Sequence, residues 1–247
     1  MRVKIIPYFS FLEQNKNILK ELNRNFIIIV IDVLRATSTI VTALYNGALS
    51  VIPAETIKEA EKIKNEIKEE NVLLCGEENS KKIENFDIGN SPLDYTRENV
   101  QNKIIILKTT NGSVVLKKSA EYFKNKMILI CSFLNVIYLT EKIKELEKDI
   151  LIICSGDNNN FSLEDFACAG LMINNLENYE YTDFERAAKL LIINFKNDYR
   201  RLFMESSHGR ELYEKGFEED LKFCSDVGIY NIIPFYKNGL IISKYKL

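Results

Sequence analysis

Four polar clusters in this 247-residue chain each close an apolar run, and their residue types suit chemistry on an anion. FIIIVI ends in Asp32, with Arg35 three residues on. VLLC is followed by Gly76, Glu77, Glu78 and Asn79. IIILK leads into Thr109, Thr110, Asn111, Gly112 and Ser113, and ILIIC leads into Ser155, Gly156, Asp157 and Asn158. Taken singly, each cluster also reads as a turn or a helix cap, because Ser, Thr, Asn and Asp are the preferred caps. Four such clusters, with no matching polar set before the strands, point to a shared site instead. Ligands of open α/β sheets bind beyond the carboxyl ends of the strands.

The segment TTNGS precedes a helical pattern, SVVLKKSAEYF. Free N–H groups at a helix N-terminus favour an anion, the hydroxyls add donors, and Gly112 lets a ligand come close. No Lys follows the glycine, so this is not the GxxxxGK[ST] phosphate loop. SGDNNNFSLED leads into another helix, with Ser162 as the expected N-cap and Glu164 and Asp165 in the first turn. Two adjacent carboxylates there serve either the helix dipole or a hard, oxygen-ligated cation such as Mg²⁺. Arg35 is expected in the first turn of the helix RATSTIVTALYNG, where the dipole disfavours a cation. A planar guanidinium aimed at an anionic substrate would account for it. His208, the only histidine, lies in SSHGREL beside Arg210. Its ordinary pKa suits general acid–base work, although a lone histidine is more often structural. Asn90, Ser91 and Pro92 form a turn signal that serves equally as an ordered loop or as part of a site.

These residues need elements to carry them. The runs 3–6, 26–31, 49–54, 72–75, 104–107, 127–131 and 150–154 are almost wholly apolar and rich in β-branched residues, the pattern of strands covered on both faces. Helical patterns at 55–70, 134–149, 163–177 and 183–203 alternate with them. The expected fold is therefore α/β, with helices on both faces of a mostly parallel or mixed sheet, in one domain over residues 1–247. From about residue 180 helices dominate, packing against the sheet or capping one edge, and 229–243 reads as a short terminal hairpin or edge strands.

Bulk properties narrow the function. The net charge of −2 gives no basic blanket for nucleic acid. No apolar run is long enough to span a bilayer. The first residues lack a signal-peptide core, so the cytoplasm is expected. Five widely spaced cysteines without a CxxC pair argue against disulfides and structural zinc. A homo-oligomer is compatible with the sequence, which does not fix the oligomeric state.

Together, IDVLRATSTIVTAL, CGEEN, FDIGNSPLDYT, TTNGS, FSLEDFACAG and SSHGREL resemble, in this order and spacing, the 2-phosphosulfolactate phosphatase (ComB) family, from about residue 28 to about residue 235. The resemblance implies a three-layer α/β/α fold and a Mg²⁺-dependent phosphatase of coenzyme M biosynthesis that converts 2-phospho-3-sulfolactate to 3-sulfolactate and phosphate. It implies matching site positions at Asp32, Arg35, Glu77, Asn90, Ser91, Thr109 to Gly112, Glu164, Asp165 and His208 to Arg210. In the combined reading Asp32, Arg35, Asn111 and His208 are catalytic. Asp32, Glu77, Glu164 and Asp165 hold the metal. Arg35, Asn90, Ser91, Thr109, Thr110, Asn111, Gly112, Ser155, Gly156 and Arg210 bind a small anionic phosphoester. Asp32 is either a nucleophile forming an aspartyl-phosphate or a metal ligand that helps activate water. The second reading is preferred, because the second Asp of haloacid-dehalogenase phosphatases is replaced by Leu34. A phosphatase for another small acidic phosphoester, and a non-catalytic anion binder on the same fold, remain as alternatives.

Overall fold

The computed structural model describes residues 1–244. In chain order its strands are β1 (Val3–Ile6), β2 (Ile27–Ile31), β3 (Ser50–Ala54), β4 (Val72–Glu78), β5 (Lys81–Lys82), β6 (Ile104–Lys108), β7 (Ile128–Cys131), β8 (Ile150–Cys154), β9 (Ile233–Lys237) and β10 (Leu240–Lys244). The helices are α1 (Phe9–Gln14), α2 (Ala36–Tyr45), α3 (Ile57–Glu66), α4 (Arg97–Val100), α5 (Gly112–Tyr122), α6 (Val136–Lys144), α7 (Leu163–Asn174), α8 (Asp183–Phe195), α9 (Tyr199–Glu205), α10 (Ser207–Glu214) and α11 (Glu218–Cys224).

All strands join one sheet in the order β1-β8-β2-β7-β9-β10-β3-β6-β4-β5. β1, β8, β2 and β7 form one parallel block. β3, β6 and β4 form a second. The β9–β10 hairpin lies between them and pairs antiparallel on both sides. The expected hairpin is therefore present, but it is central rather than at an edge. Its turn, Asn238-Gly239, has φ of 51° and 86°, the two left-handed residues that a tight I′ turn requires.

Three successive antiparallel pairings reverse the chain sense, so the two blocks run in opposite directions. In a flat sheet their carboxyl ends would lie at opposite edges. The core explains why they do not. Alternate residues of β2 feed different clusters: Ile27, Ile29 and Ile31 pack with α6, α7 and α8, whereas Ile28 and Val30 pack with α2 and α5. That second cluster also takes Val51, Cys75, Ile105 and Leu107 from the other block. The sheet thus bends around α2 and α5, at the hairpin, where pairing is thin: Ile241 alone pairs with β3, and two residues of β9 pair with β7. The far face of the second block packs on α3 through Ala54, Ala60, Leu74 and Ile106. The result is the expected α/β/α layering. Each fully buried aliphatic side chain adds about 1.5–3 kcal/mol, so this burial on both faces fixes the strands that carry the site.

The helical stretch expected over 183–203 divides in two. Lys196 and Asn197 both adopt positive φ, and Asp198 then caps α9 through Arg201 N. No glycine or proline marks that break in the sequence. Among the described residues no helix is long and apolar enough to cross a membrane.

Candidate active site

Asp32 follows β2 and is 6% exposed. Its main-chain carbonyl accepts from Thr37 N and from Thr37 Oγ1, each at 2.8 Å, and its Oδ1 accepts from Ala36 N at 3.2 Å. The side chain is thus fastened at the start of α2. The N-terminus of α5 meets it: a Cβ built on Gly112 would lie 2.5 Å from Ala36 Cβ and 2.7 Å from Asp32 Oδ2. Only glycine allows that approach.

Glu77, near the end of β4, shapes the loop before α5. Its Oε1 accepts from Thr110 N at 2.7 Å and from Thr110 Oγ1 at 2.9 Å, and its Oε2 accepts from Ser80 N at 2.9 Å. Thr109 and Ser113 close the same loop on each other, with Thr109 N donating to Ser113 Oγ and Ser113 N to Thr109 Oγ1. The amides of Asn111 and Gly112 are left with no acceptor among the described residues. The Asn111 carboxamide is committed to the opposite block: Nδ2 donates to Asp157 Oδ1 at 3.3 Å, and Oδ1 accepts from Asn158 N at 3.2 Å. It fastens the α5 loop to the loop after β8.

Ser162 caps α7 as expected, accepting from Asp165 N. Asp165 Oδ1 accepts from Val33 N at 2.8 Å and Oδ2 from Gly156 N at 3.2 Å. Glu164, 2% exposed, has its Oε1 3.5 Å from His208 Nδ1. A polar cavity of about 90 Å³ has a wall that includes Asp32, Arg35, Glu77, Asn90, Thr109, Thr110, Asn111, Asp157, His208 and Glu211; Glu164 and Asp165 stand behind it, Glu164 against His208. A water needs roughly 10–15 Å³ on that scale, so the space suits a small molecule rather than a polymer.

The electrostatics follow from crowding. Burial raises the Asp32 pKa to about 7; His208 and the Ala36 amide oppose the rise, and Glu77 and Glu164 add to it. Burial works against the His208 imidazolium, but Glu164, Asp157 and Asp32 outweigh it and bring its pKa to about 9. Burial, then the charges of Asp32 and Glu164, push Asp165 upward.

Several expected roles change. Arg35 lines the cavity, but its Nη1 donates to Asp220 Oδ2 at 2.6 Å and its Nη2 to the Ser80 carbonyl at 2.8 Å. Its guanidinium carbon also lies 4.0 Å from the Phe217 ring centre. It stands at the N-cap of α2, and Asp220 supplies the folding reason that the sequence did not show. Ser91 Oγ donates to Asp220 Oδ1 at 2.6 Å, which ties its hydroxyl to the same network. Arg210 is exposed and donates to the Glu205 carbonyl, and it is not part of the cavity wall. Glu77 and Asp165, expected as metal ligands, have both carboxylate oxygens hydrogen-bonded to loop donors. Ser155 N holds the Ile31 carbonyl and Gly156 takes a positive φ of 70° in the loop after β8; neither is in the cavity wall. Asp157, Ser80, Glu211 and Asp220 were not singled out. Asp157 stood in a quoted cluster, whereas nothing near Asp220 marks it.

The geometry agrees with the comparisons. A model of the family described as 2-phosphosulpholactate phosphatase matches residues 13–239. A protein of Thermotoga petrophila named probable 2-phosphosulfolactate phosphatase is 44% identical over 216 residues, 87% of this chain and 91% of its own. A protein of the same name from Caldanaerobacter subterraneus is 40% identical over 237 residues, 95% of each chain. The chain belongs to the 2-phosphosulfolactate phosphatase family. The family match covers every element that carries the cavity, from β2 to α11. The family is one of phosphoric monoester hydrolases.

Proposed function

We propose that this protein is a Mg²⁺-dependent phosphatase that hydrolyses 2-phospho-3-sulfolactate to 3-sulfolactate and phosphate, a reaction of coenzyme M biosynthesis in the cytoplasm. The observation that carries this reading is the contact of Gly112 with Asp32. It sets free helix-terminal amides beside a carboxylate whose pKa lies near neutrality. The amides suit the phosphoryl oxygens, and their preorganised dipoles would stabilise charge that develops there.

The charge inventory supports a cation. Asp32, Glu77, Asp157 and Glu211 line the cavity, while the charge of Arg35 is met by Asp220 and that of His208 by Glu164. An anion with three acidic groups would be repelled from that wall without a cation between. No three Asp, Glu, His or Cys side chains among the described residues are placed to hold a metal together. Mg²⁺ does not need three: it commonly takes one or two carboxylates, with waters and phosphate oxygens completing its shell. Of the four carboxylates expected to hold it, Asp32 and Glu164 keep an oxygen without a protein donor among the described residues, and Asp157 on the cavity wall keeps another. When bound, the ion would neutralise phosphoryl charge and acidify a water. His208, protonated at neutral pH, would donate its proton to the departing alkoxide, and Asp32 would accept the proton of the attacking water.

Phosphate release from 2-phospho-3-sulfolactate, phospholactate and phosphoglycolate, with Mg²⁺ and with EDTA, tests this reading. Release is expected with Mg²⁺, fastest on the sulfonated substrate, and lost in EDTA and in Asp32→Asn. Absence of release with every divalent ion would leave an anion-binding protein.

A second readout needs no turnover. In the metal-free protein Asp32 has a folded pKa of about 7 against an ordinary 3.8, and His208 about 9 against 6.5. Both bind protons more readily when folded, so stability falls wherever they titrate. The Asp32 contribution is complete below pH 3.8 and lost as pH rises through about 7. That of His208 is complete below 6.5 and lost as pH rises through about 9. Mg²⁺ should therefore raise the melting temperature more at pH 8 than at pH 5.5, with about 2.7 kcal/mol expected at a hundredfold excess over Kd. An equal increment at both values would mean that Asp32 does not hold the ion.

A further inference from the structure

We propose that Asn90 positions the attacking water. Asn90 lies between β5 and the turn at Pro92–Asp94 and is 5% exposed. Its main-chain carbonyl accepts from Thr39 Oγ1 at 2.9 Å, which fixes the residue against α2. Asn90 belongs to the cavity wall, and its Oδ1 is buried without a hydrogen-bond partner among the described residues. A buried polar group left unpaired costs free energy, and such atoms in native sites are commonly reserved for a ligand or a water.

The chemistry selects the partner. A carboxamide oxygen only accepts hydrogen bonds. This step rests on the phosphatase reading above. The proposed substrate carries phosphate, carboxylate and sulfonate, and at neutral pH these are acceptors with no O–H to give beyond the residual protonation of the phosphate. Apart from waters held by a bound ion, two species enter or leave with a hydroxyl hydrogen on the reacting side: the entering water, whose hydrogen stays with the phosphate product, and the product alcohol. The water oxygen bonds to phosphorus as the ester P–O bond breaks. One water proton passes to Asp32, and the leaving alkoxide takes a proton from His208. The second water hydrogen stays on oxygen, and it is this hydrogen that Asn90 Oδ1 accepts. An amide suits the task because it orients the water without competing for the proton.

Asn90→Ala and Asn90→Asp test the assignment in the full-length protein with Mg²⁺. In Asn90→Ala, kcat should fall about a hundredfold, the usual penalty for a misplaced reactant. KM and inhibition by inorganic phosphate should hold within about twofold, since the substrate loses no contact. The melting temperature should not drop, because no protein hydrogen bond is removed. Asn90→Asp keeps an acceptor, so kcat should recover above that of the alanine variant, while the added charge raises KM. Near-normal kcat in Asn90→Ala would overturn the proposal. So would unchanged kcat with weakened inhibition by sulfolactate, which would assign the amide to the product hydroxyl. A lowered melting temperature with proportionate loss of active protein would make the residue structural. A wild-type protein without phosphatase activity would instead remove the reading on which the proposal stands.

Discussion

Arg35→Gln is expected to destabilise the protein by about 3–5 kcal/mol, because it leaves Asp220 charged and unpaired in the interior. The side chains of Arg35 and Asp220 are 2% and 4% exposed, so solvent does not screen the loss. At roughly 2–4 °C per kcal/mol for a chain of this size, the melting temperature should drop by about 6–20 °C. The helix dipole, which disfavours a cation at this position, would by itself point the other way. The packing overrides that local argument, since the dipole contributes about 0.3–1 kcal/mol at most surface sites and the stranded carboxylate costs several times more. The second substitution Asp220→Asn should restore part of the loss, because the pair is then removed together. Arg35→Lys should fall between, keeping charge but losing the second donor to the Ser80 carbonyl and the flat face against Phe217. Thermal melts of the three variants with steady-state kinetics decide the matter. An unchanged melting temperature with a raised KM would return Arg35 to the substrate.

What the sequence made legible was local. β2 and β8 were visible as unbroken apolar runs, since a strand buried on both faces needs no polar position. Asp32, Thr109 to Gly112, Glu164 and His208 were visible because chemistry-bearing residues followed such runs or opened a helix. The reversed sense of the second block was not. It depends on where the last hairpin inserts, and IPFYKNGLIIS fits an edge as well as a centre. Arg35 illustrates the same limit, because its partner lies 185 residues away and nothing in EEDLKFC announces it. Glu77 and Asp165 show a third kind of limit. Residue type identifies a carboxylate, but only coordinates reveal that its oxygens are already bound by Thr110 and Ser80, or by Val33 and Gly156.

Gly112→Ala should cost both stability and turnover, and the second loss should be much the larger. The new methyl would sit 2.5 Å from Ala36 Cβ and 2.7 Å from Asp32 Oδ2, closer than real Cβ atoms approach their neighbours. Neither neighbour is the loose end of a long side chain. Ala36 Cβ is fixed to the first residue of α2, and Asp32 is fastened through Ala36 N and Thr37. The helices must therefore separate, at about 1–3 kcal/mol for an overpacked contact. That separation moves the free amides away from the carboxylate, and a shift of about 1 Å at a reacting centre costs roughly a hundredfold in rate. The two effects are separable. Circular dichroism and a melt would show a folded protein with a modest loss of stability, while kcat falls by two orders of magnitude or more. Inorganic phosphate should also bind more weakly, because its cradle has been displaced. If the variant melts lower yet retains phosphate binding and most of its turnover, the α5 terminus is a packing contact, and the anion site lies elsewhere in the cavity.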